Sequence, residues 1–186
     1  MKRLALITIT FILGMFALAY VLAPEWTQQG APKSRSSGTA QIGGDFTLTD
    51  HRGQPFTQKD LLGQYHLLFF GFTHCPDICP TSLLTLAEAM QNLPESLQER
   101  IQPVFVSVDP GRDTPEILAQ YVANFHPRLI GLTGTEAQIR QIADAYKVYY
   151  SVSPPNETDG SYLVDHSGFL FLMDPKGNMS RISPTT

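Results

Sequence analysis

"YHLLFFGFTHCPDICPTSLLTL", Tyr65–Leu86, runs from a nearly unbroken apolar and aromatic segment, through a short turn holding two cysteines, into a helix-forming segment. An apolar run of this kind suits a strand buried on both faces of a sheet. Pro80 stands where the first turn of a helix tolerates a missing N–H, and Leu83, Ala87 and Met90 then recur at helical spacing. The order strand, turn, helix puts Cys75 and Cys79 at the end of a central strand and the mouth of a helix. Unpaired N–H groups and the positive end of the helix dipole favour anions there, so the position should lower a thiol pKa.

The flanking sequence keeps the same alternation. "DFTLTD" (Asp45–Asp50) alternates apolar and polar, and "HRGQPFT" has the form of a turn leading into a second short strand. "PVFVSV" (Pro103–Val108) reads as another buried strand. In "DTPEILAQYVANF" a helix start is visible: Thr114 as cap, Pro115 at the first position, Glu116 in the first turn. "LIGLTG" is strand-like, and "TEAQIRQIADAYKV" opens with Thr135 as a cap and turns Ile139, Ile142 and Ala143 inward. A looser "SVSPPNETDGS" loop follows. "YLVDHS" and "FLFLMD" then read as two strands joined through Ser167-Gly168 in the form of a hairpin. Strands alternating with helices, ending in a hairpin insertion, predict an α/β domain with a mixed central sheet. A thioredoxin-like fold fits, because its functional thiols lie between a central strand and the next helix.

Ahead of this domain, Met1-Lys2-Arg3 is followed by Leu4–Ala23 without a charge. About 20 apolar residues suffice to cross a bilayer, and the basic start should stay cytoplasmic. Residues 1–23 therefore predict a transmembrane anchor in the inner (cytoplasmic) membrane, residues 24–44 a polar tether, and residues 45–186 a domain on the periplasmic or outer side. A cleaved signal peptide, processed near Ala17–Ala19, is the competing reading, and it exports the domain equally. The formal charge of −4 and the lack of a basic stripe argue against a nucleic-acid partner.

In an oxidising compartment, a lone cysteine pair can be a structural disulfide, a redox dithiol or a pair of soft-metal ligands. A disulfide would close so short a loop that it would add little stability. A structural zinc site needs four ligands, and no second cysteine pair exists. Two thiolates with an imidazole suit copper better. Of five histidines, His51, His66 and His126 read as surface or capping residues, and His74 as a neighbour whose ring points away from the sulfurs. His166, in "VDHSG", sits among polar residues at the end of an apolar strand. By itself that describes a hydrogen-bonded turn histidine as well as a ligand.

"FFGFTHCPDICPTSL", "VSVDPGRDTPEIL" and "YLVDHSGFLFLMDPKGN", in this order, resemble the SCO/SenC family of membrane-anchored copper proteins, over about Phe46 to Met179. The resemblance implies a thioredoxin-like fold. It also implies carriage of Cu(I) or Cu(II) to the CuA centre of cytochrome c oxidase subunit II, or reduction of the cysteines there, with an upstream copper donor and a thiol reductant as further partners. It places the metal ligands on Cys75, Cys79 and His166. Its acidic motif falls on Asp109, Arg112 and Asp113. Asp109 is then an outer contact or docking residue, Asp113 a helix cap beside Thr114, and Asp77 either a cap or a residue tuning the metal's charge. Family members usually continue into a terminal helix; here Ser183 could cap one and Pro184 take its first position, but only Thr185 and Thr186 follow, a departure from the family.

Two functions from different classes follow: a copper carrier, and a thiol–disulfide oxidoreductase in which Cys75 attacks and Cys79 resolves. His166 separates them, since only the carrier requires it. A peroxidase of the same fold would want threonine where Phe72 stands. A CuA domain would want histidine and methionine where Leu83 and Leu86 stand.

Overall fold

A computed structural model of the chain describes residues 41–185. The expected anchor, and all but the last residues of the expected tether, lie outside them. Among the described residues no helix is long and apolar enough to cross a membrane.

Among the described residues nine strands and four α-helices follow one another: β1 (Thr47–Asp50), β2 (Pro55–Thr57), β3 (Tyr65–Gly71), α1 (Ile78–Gln91), α2 (Glu95–Gln98), β4 (Ile101–Ser107), α3 (Pro115–Val122), β5 (Ile130–Thr133), α4 (Glu136–Tyr146), β6 (Tyr150–Val152), β7 (Val164–His166), β8 (Phe169–Met173) and β9 (Met179–Pro184), with a short 3-10 turn at Gln58–Leu61. A seven-stranded mixed sheet runs β2-β1-β5-β4-β3-β8-β9. Its centre is parallel, with β3 beside β4 from Tyr65↔Ile101 to Gly71↔Ser107 and β4 beside β5. The outer strands β1 and β8 join it antiparallel.

Central strands meet side chains on both faces, which is why Leu68–Phe70 and Val104–Val106 are buried without alternation. Successive residues still point opposite ways. Phe70 turns to Phe171 and to Tyr146 of α4, with ring centroids at 5.8 and 5.5 Å. Phe69 turns to Phe105, which in turn meets Tyr121 of α3. The helix starts follow the capping chemistry: Thr114 Oγ1 accepts from Ile117 N, and Thr135 exchanges bonds with Gln138 in a capping box.

Three expectations need correcting. "YLVDHS" and "FLFLMD" do not form a hairpin with each other. β7 pairs with β6 in a separate two-stranded ribbon, while β8 pairs with β3 and β9. A two-residue hairpin turn needs positive φ, and Gly168 is not among the positive-φ glycines. Instead Ser167 N donates to Tyr149 O, and Thr185 N donates to Gly168 O, so the chain steps from ribbon to sheet. Next, Ser183 and Pro184, the positions where a terminal helix could have been capped and begun, instead end β9, opposite Leu170 and Phe169. Finally, the domain's contacts begin inside the stretch read as tether, where Ile42 packs on the core and Gly43 N donates to Ala145 O at 3.0 Å.

His66 and His126 are buried rather than on the surface, at 2 % and 6 % exposure. The His126 Nδ1 accepts from Arg128 N at 3.2 Å. Burial lowers both pKa values, opposed at His66 by the Gln64 carbonyl and Asp174, and reinforced at His126 by Arg128. Between the lowered folded value and the ordinary 6.5, the unfolded chain binds more protons than the fold. Stability is therefore full above about pH 6.5 and falls as pH drops below it. Thermal denaturation between about pH 7.5 and 5 should show this decline, and His66→Gln should reduce it, leaving the part carried by His126 and His166.

Candidate metal centre

The C-terminal end of β3 delivers the chain into the cysteine turn. Cys75 is half-buried in that turn, and Cys79 is fully buried in the first turn of α1. The α1 backbone reaches back, with Cys79 N donating to Cys75 Sγ at 3.4 Å. Gly71 makes room below: a Cβ there would stand 2.6 Å from Cys79 Sγ and 3.0 Å from Phe105 Cε2. Only glycine lets the strand approach the sulfur so closely.

β7 brings the third donor from far along the chain. His166 Nε2 lies 3.3 Å from Cys79 Sγ, and the ligand atoms of Cys75, Cys79 and His166 all fall within 4.8 Å of one another. The imidazole is oriented. Its Nδ1 lies 3.2 Å from the Ser167 carbonyl, which can only accept, so the proton sits on Nδ1 and the Nε2 lone pair faces the sulfurs. Phe69 and Phe72 meet the ring edge-on at 6.2 and 5.7 Å. Burial lowers the His166 pKa, against the Ser167 carbonyl and Asp165, which keeps the ring neutral as a ligand must be.

For Cys79 the expectation of a lowered pKa is overturned. Burial pushes it far up, against a backbone hydrogen bond at Phe72 and helped by Cys75 and Asp113. The sulfur is fully buried in the helix's first turn against Gly71 of β3, and desolvation outweighs the helix dipole. A cation entering here displaces a proton.

The acidic motif is placed differently from its sequence reading. Asp113 caps nothing: its carboxylate, fully buried, accepts from Thr73 N (3.0 Å), Thr73 Oγ1 (2.6 Å) and Ser107 Oγ (2.5 Å), tying the cysteine turn to β4. Thr114 alone is the cap. Asp109 is 2 % exposed, so it offers no docking surface; it accepts from Arg112 Nε at 2.5 Å and Tyr162 Oη at 2.7 Å. Asp77 occupies the N-cap position of α1 but its side chain makes no cap bond. His74 turns to Thr73 Oγ1 at 3.1 Å, with Asp113 at 3.9 Å. His51 Nδ1 accepts from Gly131 N at 3.1 Å and is not part of the cluster of possible metal donors. Leu83 and Leu86 are buried core residues. Tyr162 was invisible to sequence reasoning: nothing in "NETDGSYL" marks it apart from any loop tyrosine.

Two sulfurs and one neutral imidazole form a donor set for a soft cation. Comparison with known proteins bears on which. The SCO1/SenC family pattern matches residues 34–186. "Protein SCO2, mitochondrial" of Saccharomyces cerevisiae is 46% identical over 151 residues, 81% of this chain and 50% of that protein. The chain spans about half the length of the curated relatives it matches. Arabidopsis thaliana ScoI, solved with copper bound, superposes with a TM-score of 0.71 at 46% identity, over 77% of this chain and 88% of that one. Yeast Sco1 with copper bound gives 0.73 at 41% identity, over 77% and 80%. A match over most of its length, on the same mixed-sheet fold, makes this chain a member of the SCO1/SenC family.

Proposed function

We propose that this chain binds one copper ion through Cys75, Cys79 and His166, and passes it to the CuA centre of cytochrome c oxidase subunit II while the oxidase is assembled. The observation carrying the reading is the convergence of the three donor atoms within 4.8 Å. The donor set supports copper: two thiolates and an imidazole satisfy Cu(I), while structural zinc wants a fourth protein ligand. The copper-bound relatives support it as well. Copper is cargo here, so the site must release as well as hold. Cys75, half-buried, is the sulfur an acceptor thiolate can reach first. Residues 1–23 would anchor the domain in the inner membrane, with the copper site on its outer side.

A second use of the dithiol is favoured by the unequal burial of the cysteines. The Cys75 thiolate attacks an acceptor disulfide, forming a mixed disulfide and releasing one acceptor thiolate. Cys79, losing its proton, then attacks Cys75 Sγ and releases the second. The acceptor gains two electrons, and this chain is left with a Cys75–Cys79 disulfide.

Copper titration of the reduced and the oxidised chain tests the carrier reading. The reduced chain should take up one copper per chain, estimated from a single three-donor site, and the oxidised chain none. His166→Ala should weaken affinity by more than the roughly 10–100-fold that loss of an outer partner costs. Unchanged affinity in His166→Ala would leave only the dithiol chemistry standing.

A further inference from the structure

His166 stands on β7, and among the described residues β7 pairs as a strand only with β6. A two-stranded ribbon is marginally stable by itself in water. Something else must hold it in register with the sulfurs. Tyr150 of β6 and Val164 of β7 pack on the core, and Tyr162, at the foot of β7, supplies a polar attachment. Its Oη donates to Asp109 Oδ1 at 2.7 Å, and its ring lies under the Arg112 guanidinium at 3.9 Å. Arg112 Nη1 also donates to the Tyr162 carbonyl at 3.4 Å.

Asp109 and Arg112 are fixed in their turn. Arg112 Nε donates to Asp109 Oδ2, and the Asp109 carbonyl accepts from Arg112 N and Asp113 N, beside the carboxylate that ties down the cysteine turn. A second route ends at the same ring: Arg112 lies 5.8 Å from the Phe72 centroid, and Phe72 meets His166 edge-on at 5.7 Å. On its other strand the ribbon is held by Arg140 over Tyr150 at 5.2 Å. That contact fixes β6 but does not bear on Tyr162.

We infer that Asp109, Arg112 and Tyr162 form a clasp that pins the β6–β7 ribbon to the domain and thereby sets the His166 imidazole beside the two sulfurs, an inference resting on the copper site proposed above. These are positioning residues: they act on copper only through His166. Opening the clasp would leave both sulfurs in place and free the nitrogen, converting a three-donor site into a two-donor site. The same step would ease release to an acceptor.

The test uses the full-length chain with Tyr162→Ala, which removes ring and hydroxyl, and Tyr162→Phe, which keeps the ring on Arg112 and loses only the bond to Asp109. Two readouts are taken: the 15N signals of the His166 imidazole in the reduced, metal-free chain, and the rate of copper loss to a colorimetric Cu(I) chelator. In Tyr162→Ala the Nδ1-protonated pattern should collapse toward that of a freely exchanging imidazole, and copper loss should accelerate about tenfold or more, the scale of an outer-partner loss. Tyr162→Phe should fall between Tyr162→Ala and the parent in both. Unchanged imidazole signals and an unchanged release rate in Tyr162→Ala would overturn the clasp, as would changes seen only where the cooperative melt is lost in both variants. If the parent chain takes up no copper, the copper reading fails by itself, and the metal-free imidazole signals still decide the clasp.

Discussion

Cys75→Ser and Cys79→Ser should each abolish tight copper binding, and the double variant should retain none in stoichiometric amount. A serine hydroxyl stays protonated at neutral pH and is a hard oxygen donor, so it replaces neither the charge nor the softness of a thiolate. The loss should exceed the roughly 10–100-fold that removal of an outer partner costs. The two single variants should differ in stability. Cys75 is half-buried at the domain surface, and Cys75→Ser should leave the thermal melt unchanged. Cys79 is fully buried against Gly71 and the aromatic core, and Cys79→Ser places a hydroxyl there with His166 Nε2 as the partner in reach. A hydroxyl so placed is satisfied only while His166 stays in position, so Cys79→Ser should cost about 1–2 kcal/mol. Equilibrium dialysis against copper, with a thermal melt of each metal-free variant, checks both parts.

Asp113→Ala has the largest expected effect on stability. Its carboxylate is the common acceptor for Thr73 N, Thr73 Oγ1 and Ser107 Oγ. Alanine leaves the buried Ser107 Oγ and the part-buried Thr73 N without this acceptor, while Thr73 Oγ1 keeps only His74 Nδ1, at roughly 1–3 kcal/mol for each group that water cannot reach. A total of about 3 kcal/mol is expected after relaxation, which for a domain of this size lowers Tm by about 10 °C. Because Thr73 adjoins the cysteine turn, copper affinity should fall as well, although Asp113 touches no donor atom by a hydrogen bond. Asp113→Asn keeps one acceptor oxygen and should lie midway. Calorimetry of the metal-free variants measures the first effect without interference from the second.

The strand–turn–helix around Tyr65–Leu86 was legible because each signal in it is local. Apolar continuity marks a doubly covered strand, Pro80 fits a first helical turn, and Leu83, Ala87 and Met90 share a face. Thr114 and Thr135 were legible as caps for the same reason. Partner choice was not local. Ser167-Gly168 between two apolar runs has the pattern of a hairpin, yet β8 finds a better-buried neighbour in β3, where Phe171 joins Phe70 and Tyr146. The sequence places His166 near nothing; its meeting with Cys79 follows from β7 leaving the main sheet, and the family resemblance alone pointed to it. Asp113 read as a cap because it precedes Thr114-Pro115, and only the fold brings Thr73 and Ser107 to its oxygens. The helix-mouth argument for a reactive Cys79 failed because it counted the dipole and not the burial. Tyr162 and Arg112 meet across the fold, and no spacing in the chain foretells that.

X-ray absorption at the copper edge, on the reduced full-length chain loaded with one equivalent of copper, asks most directly whether two sulfurs and one distant imidazole hold a single ion. The spectrum should show a first shell of two sulfurs and one nitrogen, estimated from the three converging donors, with outer-shell scattering from an imidazole that disappears in His166→Ala. A shell of nitrogen and oxygen alone, or imidazole scattering that survives in His166→Ala, would contradict it.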